Sequence, residues 1–370
     1  MSFNDIFCQD KAIETIQRAF VSGRLANAYI FNGPEGIGKF KTALEWAKLL
    51  LCNTPVIENN TADSCGSCQS CQLFEVGSHP DFNHVYKELK EFTEDGKGKA
   101  APVDLPISVI REFLIEKAST KPSLSKGKIF IVSEAEKLNT SSQNSLLKIL
   151  EEPPEYCRII LLCTCLDKLL PTTKSRSQIV QFASIEVDRI IESLWEMGLD
   201  ENRARYFAFL SQGSLGIACQ WAKLELADAN LYTIKKELIS SLVDCEYSDT
   251  LDLAVELLNK SKKIANIWVD IDKTTSKADI NRRVDKTLVK VVISALHDAM
   301  KWNISKDYEI INFDQKEQIK KLAGCFDSEL LAEKISDCFM AQQWIESSVN
   351  EKLVFEHLLL NIINSDKMQV

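Results

Sequence analysis

Two groups of residues in this sequence have the types and spacing to do chemistry. The first is Gly33-Pro34-Glu35-Gly36-Ile37-Gly38-Lys39. Glycines placed like this let backbone N–H groups turn inward around a phosphate at a helix N-terminus. The spacing Gly33-x-x-x-x-Gly38-Lys39 fits the P-loop pattern, with Lys39 placed to reach β- and γ-phosphates. The next residue in that pattern carries the hydroxyl that holds magnesium, and here it is Phe40, whose benzyl group cannot ligate a metal. Thr42 is no substitute, because two residues further along a helix a side chain points elsewhere. The competing reading is a glycine-rich turn that binds nothing. A strand, loop and helix all in register favour the phosphate loop, while Phe40 counts against metal-dependent hydrolysis.

The second group is Cys65-Gly-Ser-Cys68-Gln-Ser-Cys71, with Cys52 upstream. Two overlapping C-x-x-C turns offer three thiolates and Cys52 a fourth, the donor set of a closed, structural zinc site. His79 and His84 are alternative fourth ligands, ranked below Cys52 because cysteine completes an all-sulfur set. A redox-active C-x-x-C is disfavoured, since nothing around it reads as a thioredoxin-like unit.

These groups need elements to hold them. An apolar run from Ala28 to Phe31 reads as a buried strand feeding the loop, and a helix follows from Lys41 through Leu50-Leu51, ending near Pro55. Before them, Ala12, Ile13, Ile16, Ala19 and Phe20 mark a helical stripe. The charged stretch from Lys87 to Pro106, with Gly96 and Gly98, reads as an exposed loop. An amphipathic helix is expected over Ile107 to Ala118. Lys128-Ile-Phe-Ile-Val132 is a second buried strand, followed by Ser133 and Glu134. In P-loop ATPases this strand ends in an aspartate that holds magnesium. Here Ser133 stands at that position, while Glu134 keeps the place of the glutamate that polarises water. Two magnesium positions, 40 and 133, are thus altered together. A helix over Leu138 to Glu152 closes at Pro153-Pro154, a third strand runs from Arg158 to Leu162 and on to Thr164, and a short one covers Gln178 to Phe182. Alternating strands and helices imply a parallel sheet covered on both faces.

At 370 residues there is room for two or three domains with their own cores. The 53 acidic against 44 basic residues give a net charge of −9, which argues against a protein that wraps nucleic acid unaided. The start Met1-Ser-Phe-Asn-Asp5 does not read as a signal peptide, and no apolar run approaches membrane-spanning length. With several of the twelve cysteines inside apolar segments, a reducing cytoplasm is expected.

The loop, the cysteine cluster, Leu146-Leu-Lys-Ile-Leu-Glu-Glu-Pro-Pro154 and Leu170-Pro-Thr-Thr-Lys-Ser-Arg176 occur in the order found in bacterial clamp-loader subunits of DNA polymerase III. The first half of the chain resembles these AAA+ proteins closely, with Ser177 where the family often has cysteine. The resemblance implies an α/β AAA+ P-loop core over 1–184 with a zinc-binding insertion at about 52–71, a helical lid over 185–228 and an all-α collar over 229–370. It also implies a degenerate nucleotide site of Gly33, Pro34, Gly36, Gly38, Lys39, Glu134 and Thr164, for ATP or ADP with impaired Mg2+ ligation. Arg176 is expected to act in trans as an arginine finger on a neighbour's nucleotide. Gly213-Ser-Leu-Gly216 resembles the lid motif in which motor subunits carry a γ-phosphate-sensing arginine, here Gly216. With Phe40, Ser133 and Gly216 altered, the chain is similar to the family's non-hydrolysing delta-prime branch. Its expected partners are gamma/tau and delta subunits, the sliding clamp and, through the complex, primer-template DNA. The alternatives are an active gamma/tau-type ATPase or a stand-alone zinc-containing P-loop NTPase or kinase.

Beyond Ser184 the periodicity is helical to Ile363, broken by a polar stretch at Asp272 to Asp279. Trp268, Trp302 and Trp344 are expected in the core.

Overall fold

In a computed structural model, residues 3–58, 60–94, 102–273, 275–305 and 309–363 are described. They form two compact units, Met1–Ile185 and Glu186–Val370.

The first unit is a five-stranded parallel sheet in the order β4-β5-β6-β1-β7, where β1 is Ala28–Asn32, β4 Phe82–Val85, β5 Lys128–Val132, β6 Cys157–Cys163 and β7 Gln178–Gln181. Parallel strands are joined by crossover helices, so central strands are covered on both faces and become apolar throughout. That is why β1, β5 and β6 are continuous hydrophobic runs. Alternation then sorts their side chains. Tyr29, Phe31, Ile129, Ile131, Ile160 and Leu162 face one core layer, which holds Ile13 and Ile16 of the helix Asp10–Val21 and Trp46 of the helix Lys39–Leu51. Ala28, Ile30, Phe130, Val132, Ile159 and Leu161 face the other, filled from the helical stretch over 107–118 and the helix Thr140–Glu151. The 107–118 stretch is not a uniform α-helix: a wider π segment, Arg111–Ile115, lies between α-helical ends. Asn139 caps the next helix, its Oδ1 accepting from the Ser142 amide at 2.8 Å.

Two features escaped the pattern of the sequence. The edge strand β4 carries Phe, Asn, His and Val without a clean alternation, and a two-stranded hairpin, β2 Val56–Glu58 with β3 Thr61–Asp63, precedes the cysteine turns. The stretch expected as an exposed loop begins instead with a 3₁₀ helix, Lys87–Phe92, in which Lys87 is buried against Glu134 at 3.5 Å. Gly96, Gly98 and their neighbours over 95–101 lie outside the described residues.

The second unit is helical among its described residues: Val187–Glu196, Glu201–Ser211, Leu215–Leu226, Leu231–Asp244, Thr250–Ile271, Lys277–Ile304, Lys316–Cys325, Ser328–Glu346 and Glu351–Ile363. Side chains that favour the N-cap start several of them: Asp200, Ser214, Ser276 and Asp327 each accept from an amide three residues on. The polar break expected from Asp272 to Asp279 is shorter than its composition suggests: the helix Thr250–Ile271 ends before it, but the helix Lys277–Ile304 already includes Asp279. The expected lid–collar boundary falls inside this unit, where Tyr206 and Tyr232 pack edge to face at 5.6 Å. Between them lies the buried Lys235, ion-paired with Asp314. Trp268 is core, whereas Trp302 and Trp344 are half-buried, Trp344 lying edge-on to His357 at 4.8 Å.

Candidate nucleotide loop and thiolate cluster

The loop leaves the carboxyl end of β1, Ser133 follows β5 and Thr164 follows β6, so the three segments converge at one end of the sheet. Carboxyl ends of parallel strands are where open α/β sheets bind ligands. Gly33 has φ +154, and a Cβ there would lie 2.7 Å from the Phe182 carbonyl oxygen and from Ile37 Cδ1. Gly38, at φ +100, turns the chain into the helix Lys39–Leu51, whose start carries no side-chain cap. Gly33, Gly36 and Gly38 all have positive φ, which is why the turn takes glycine at these positions.

Lys39 is buried, and its ammonium donates to the carbonyls of Gly33 and Pro34, closing the loop on itself. Burial pushes its pKa down, while the carboxylates of Glu136 and Glu35 pull the other way. Thr42 points away as expected, its hydroxyl donating to the Gly38 carbonyl at 3.0 Å.

Both altered magnesium positions meet on one residue. The Phe40 ring packs on the His84 imidazole with centroids 4.8 Å apart, and His84 Nε2 lies 2.8 Å from Ser133 Oγ. Tyr86 packs on His84 at the same 4.8 Å separation. The amide of Ser133 donates to Val85 O at 2.9 Å, holding the end of β5 against β4. Burial pushes the His84 pKa down to about 4, so the imidazole is neutral near pH 7.

Glu134 is in the left-handed region at φ +52. Its carboxylate is engaged by Lys137 at 2.6 Å and Lys87 at 3.5 Å. Thr164 is held by Glu136, its hydroxyl donating at 2.5 Å and its amide at 3.2 Å. Sequence reasoning had no role for Glu136, Tyr86 or Lys87 here. Glu136 had a local signal, two residues beyond Glu134, whereas Tyr86 and Lys87 depend on the unrecognised β4 segment.

Cys52, Cys65, Cys68 and Cys71 come together as expected, with all four sulfur atoms within 4.8 Å of one another. The separations Cys52–Cys65, Cys52–Cys68 and Cys65–Cys71 are 3.5, 3.9 and 4.0 Å, with no disulfide among them. Sulfur atoms about 2.3 Å from a tetrahedral ion sit about 3.8 Å apart, so the cluster could hold a metal ion. Backbone amides already point at the sulfurs: Cys65 N at Cys52, Cys68 N at Cys65 and Cys71 N at Cys68, at 3.3–3.5 Å. The Thr54 hydroxyl, first among several donors, pulls the Cys65 thiol down to about 5.

Neither histidine joins the cluster. His84 belongs to the aromatic stack just described. His79 Nδ1 accepts from the Asp81 amide at 3.1 Å, and its Nε2 meets Ser70 Oγ at 2.9 Å and Ser125 Oγ at 3.2 Å. Both serines donate to the Leu51 carbonyl, tying the cysteine turns to the end of the loop's own helix. Asp81 completes this network by accepting from the amides of Ser123, Leu124 and Ser125.

Arg176 follows the short helix Pro171–Ser175 and is partly exposed. Its guanidinium pairs with Glu151 at 2.8 Å and donates to the Thr172 carbonyl at 3.1 Å.

A doubly covered parallel sheet with a glycine-rich loop at the carboxyl end of β1, followed by a helical region, defines a P-loop type of α/β core. Residues 8–186 match the family described as "DNA polymerase III, delta subunit", and residues 276–364 match its C-terminal counterpart, "DNA polymerase III, delta subunit, C terminal". The chain is 24% identical to DNA polymerase III subunit delta' of Bacillus subtilis over 358 residues, 95% of each chain. It is 36% identical over 151 residues to subunit delta' of Pseudomonas aeruginosa, 41% of each. To subunit tau/gamma of Haemophilus influenzae it is 30% identical over 201 residues, 54% of this chain and 26% of that relative. The chain belongs to the clamp-loader family of DNA polymerase III, and it is delta'-like.

Proposed function

We propose that this chain is a non-hydrolysing member of a clamp-loader ring, which helps place a sliding clamp on primer-template DNA. The observation that supports this reading best is the joint engagement of Phe40 and Ser133 by His84. A P-loop motor holds its ion through the hydroxyl after the lysine and the aspartate after the facing strand. Here one is a ring, the other a hydroxyl already bonded, and Glu134 is held by two lysines instead of being free to orient water. Each change alone would weaken an ATPase; together they remove its metal. The full-length match to a delta' subunit supports the same reading.

In this role the chain takes gamma/tau and delta subunits as neighbours and meets the clamp and DNA through the assembled complex. Arg176 acts in trans: a guanidinium offers a rigid fork of donors to the charge that grows on a neighbour's γ-phosphate. The cysteine cluster takes Zn2+ as a structural ion, since four thiolates leave no open coordination position. Bound zinc would fix the cysteine turns to the helix end through Cys52, adding to the Ser70 hydrogen bond to Leu51. ATP or ADP binding at the degenerate loop is not required by this role.

The test is to purify the chain with gamma/tau and delta subunits and assay clamp loading on primed DNA. A ring that forms and loads only when this chain is present is expected. Failure to enter such a complex would overturn the proposal.

A further inference from the structure

We propose that His84 by itself shuts a divalent cation out of the loop, so that reversing the sequence changes at 40 and 133 does not readmit one while His84 remains. This rests on the non-hydrolysing reading above and names the side chain that enforces it. The two positions that hold magnesium in a P-loop ATPase come from different elements, a helix start and a strand end. His84 comes from a third, the edge strand β4, and touches both: its ring packs on Phe40 and its Nε2 lies 2.8 Å from Ser133 Oγ. Tyr86 packs on the imidazole as well, so the ring is held by two aromatic neighbours. The imidazole thus occupies the space between the two positions that would have to converge on an ion, and it bonds the Ser133 hydroxyl.

Restoring the two ligands with Phe40→Thr and Ser133→Asp should not restore the metal. The introduced carboxylate would lie within hydrogen-bond reach of His84 Nε2 and be captured in a charge-assisted bond. Only adding His84→Ala frees it.

The experiment measures binding of a fluorescent ADP to the whole chain, with Mg2+ or with EDTA. For the unsubstituted protein, Mg2+ should change the affinity by less than about twofold, or leave binding absent in both conditions. The double variant Phe40→Thr/Ser133→Asp should behave the same. The triple variant with His84→Ala should gain roughly tenfold tighter binding in Mg2+, the metal now bridging carboxylate and phosphates. Mg2+ that tightens binding tenfold in the unsubstituted chain would overturn the proposal. So would a double variant as metal-dependent as the triple, or a triple that gains nothing while still folded by circular dichroism. As a readout that needs no variant, stoichiometric Mn2+ with ADP should leave the His84 ring resonances of the native protein sharp. Selective broadening of those resonances would place an ion beside the ring and contradict the idea. Metal-dependent binding without turnover would sink this inference and leave the non-hydrolysing role standing.

Discussion

The pKa of His84, near 4 in the folded chain, lies below the ordinary histidine value of about 6.5, because burial beside Phe40 and Tyr86 penalises the charged ring. The folded state therefore binds fewer protons than the unfolded one between those values. The stabilisation from a neutral His84 is fully present above about pH 6.5 and is lost as pH falls toward 4. An NMR titration should show its ring neutral down to about pH 5, and Phe40→Ala should move the midpoint back up. A midpoint near 6.5 in the native protein would mean the stack is not closed. Arg176 is the contrasting case. Its pair with Glu151 is largely solvent-exposed, so Arg176→Ala should lower stability by at most about 1 kcal/mol, seen as a small change in Tm. In the reconstituted complex the same change should lower clamp- and DNA-stimulated ATP hydrolysis with assembly intact. An unchanged rate would leave Arg176 an ordinary surface charge.

At the scale of elements, the loop and the thiolate cluster hang from opposite ends of one helix, Lys39–Leu51. Gly33→Ala should destabilise the fold by about 2 kcal/mol or more, because the new Cβ meets a backbone carbonyl that cannot yield. At the other end, the chain should carry one zinc per molecule. Cys68→Ser should lose it, along with hydrogen-exchange protection over Gln69–Glu75, while β1, β5 and β6 stay protected. A full zinc content in a normally folded Cys68→Ser protein would refute the four-thiolate site. These elements were legible because their signals are local. Continuous apolar runs announce strands buried on both faces, and cysteine spacing announces its own turns. β4 was not legible: at the sheet edge Phe82-Asn-His-Val85 carries no continuous run, and with it went the place of His84. A histidine thirteen residues beyond Cys71 invites a ligand assignment; only the parallel register, His84 beside Ile131, puts it next to Ser133 instead. The buried Lys87 was hidden for a related reason, since its partner Glu134 is reached only through tertiary packing.

For the whole molecule, the proposed role means that a motor's architecture is kept while its metal chemistry is closed. The sheet, the loop glycines and the lysine all remain, so the fold alone does not distinguish a motor from a passive subunit. The distinction rests on positions 40, 84, 133 and 134. The most direct measurement is steady-state ATP hydrolysis by the purified chain with Mg2+ present, beside the same chain carrying Lys39→Ala. The account predicts no turnover above background in either, with hydrolysis appearing only when ATP-hydrolysing partner subunits are added. Steady turnover by the pure chain that Lys39→Ala abolishes would contradict it, and would make this protein an ATPase in its own right.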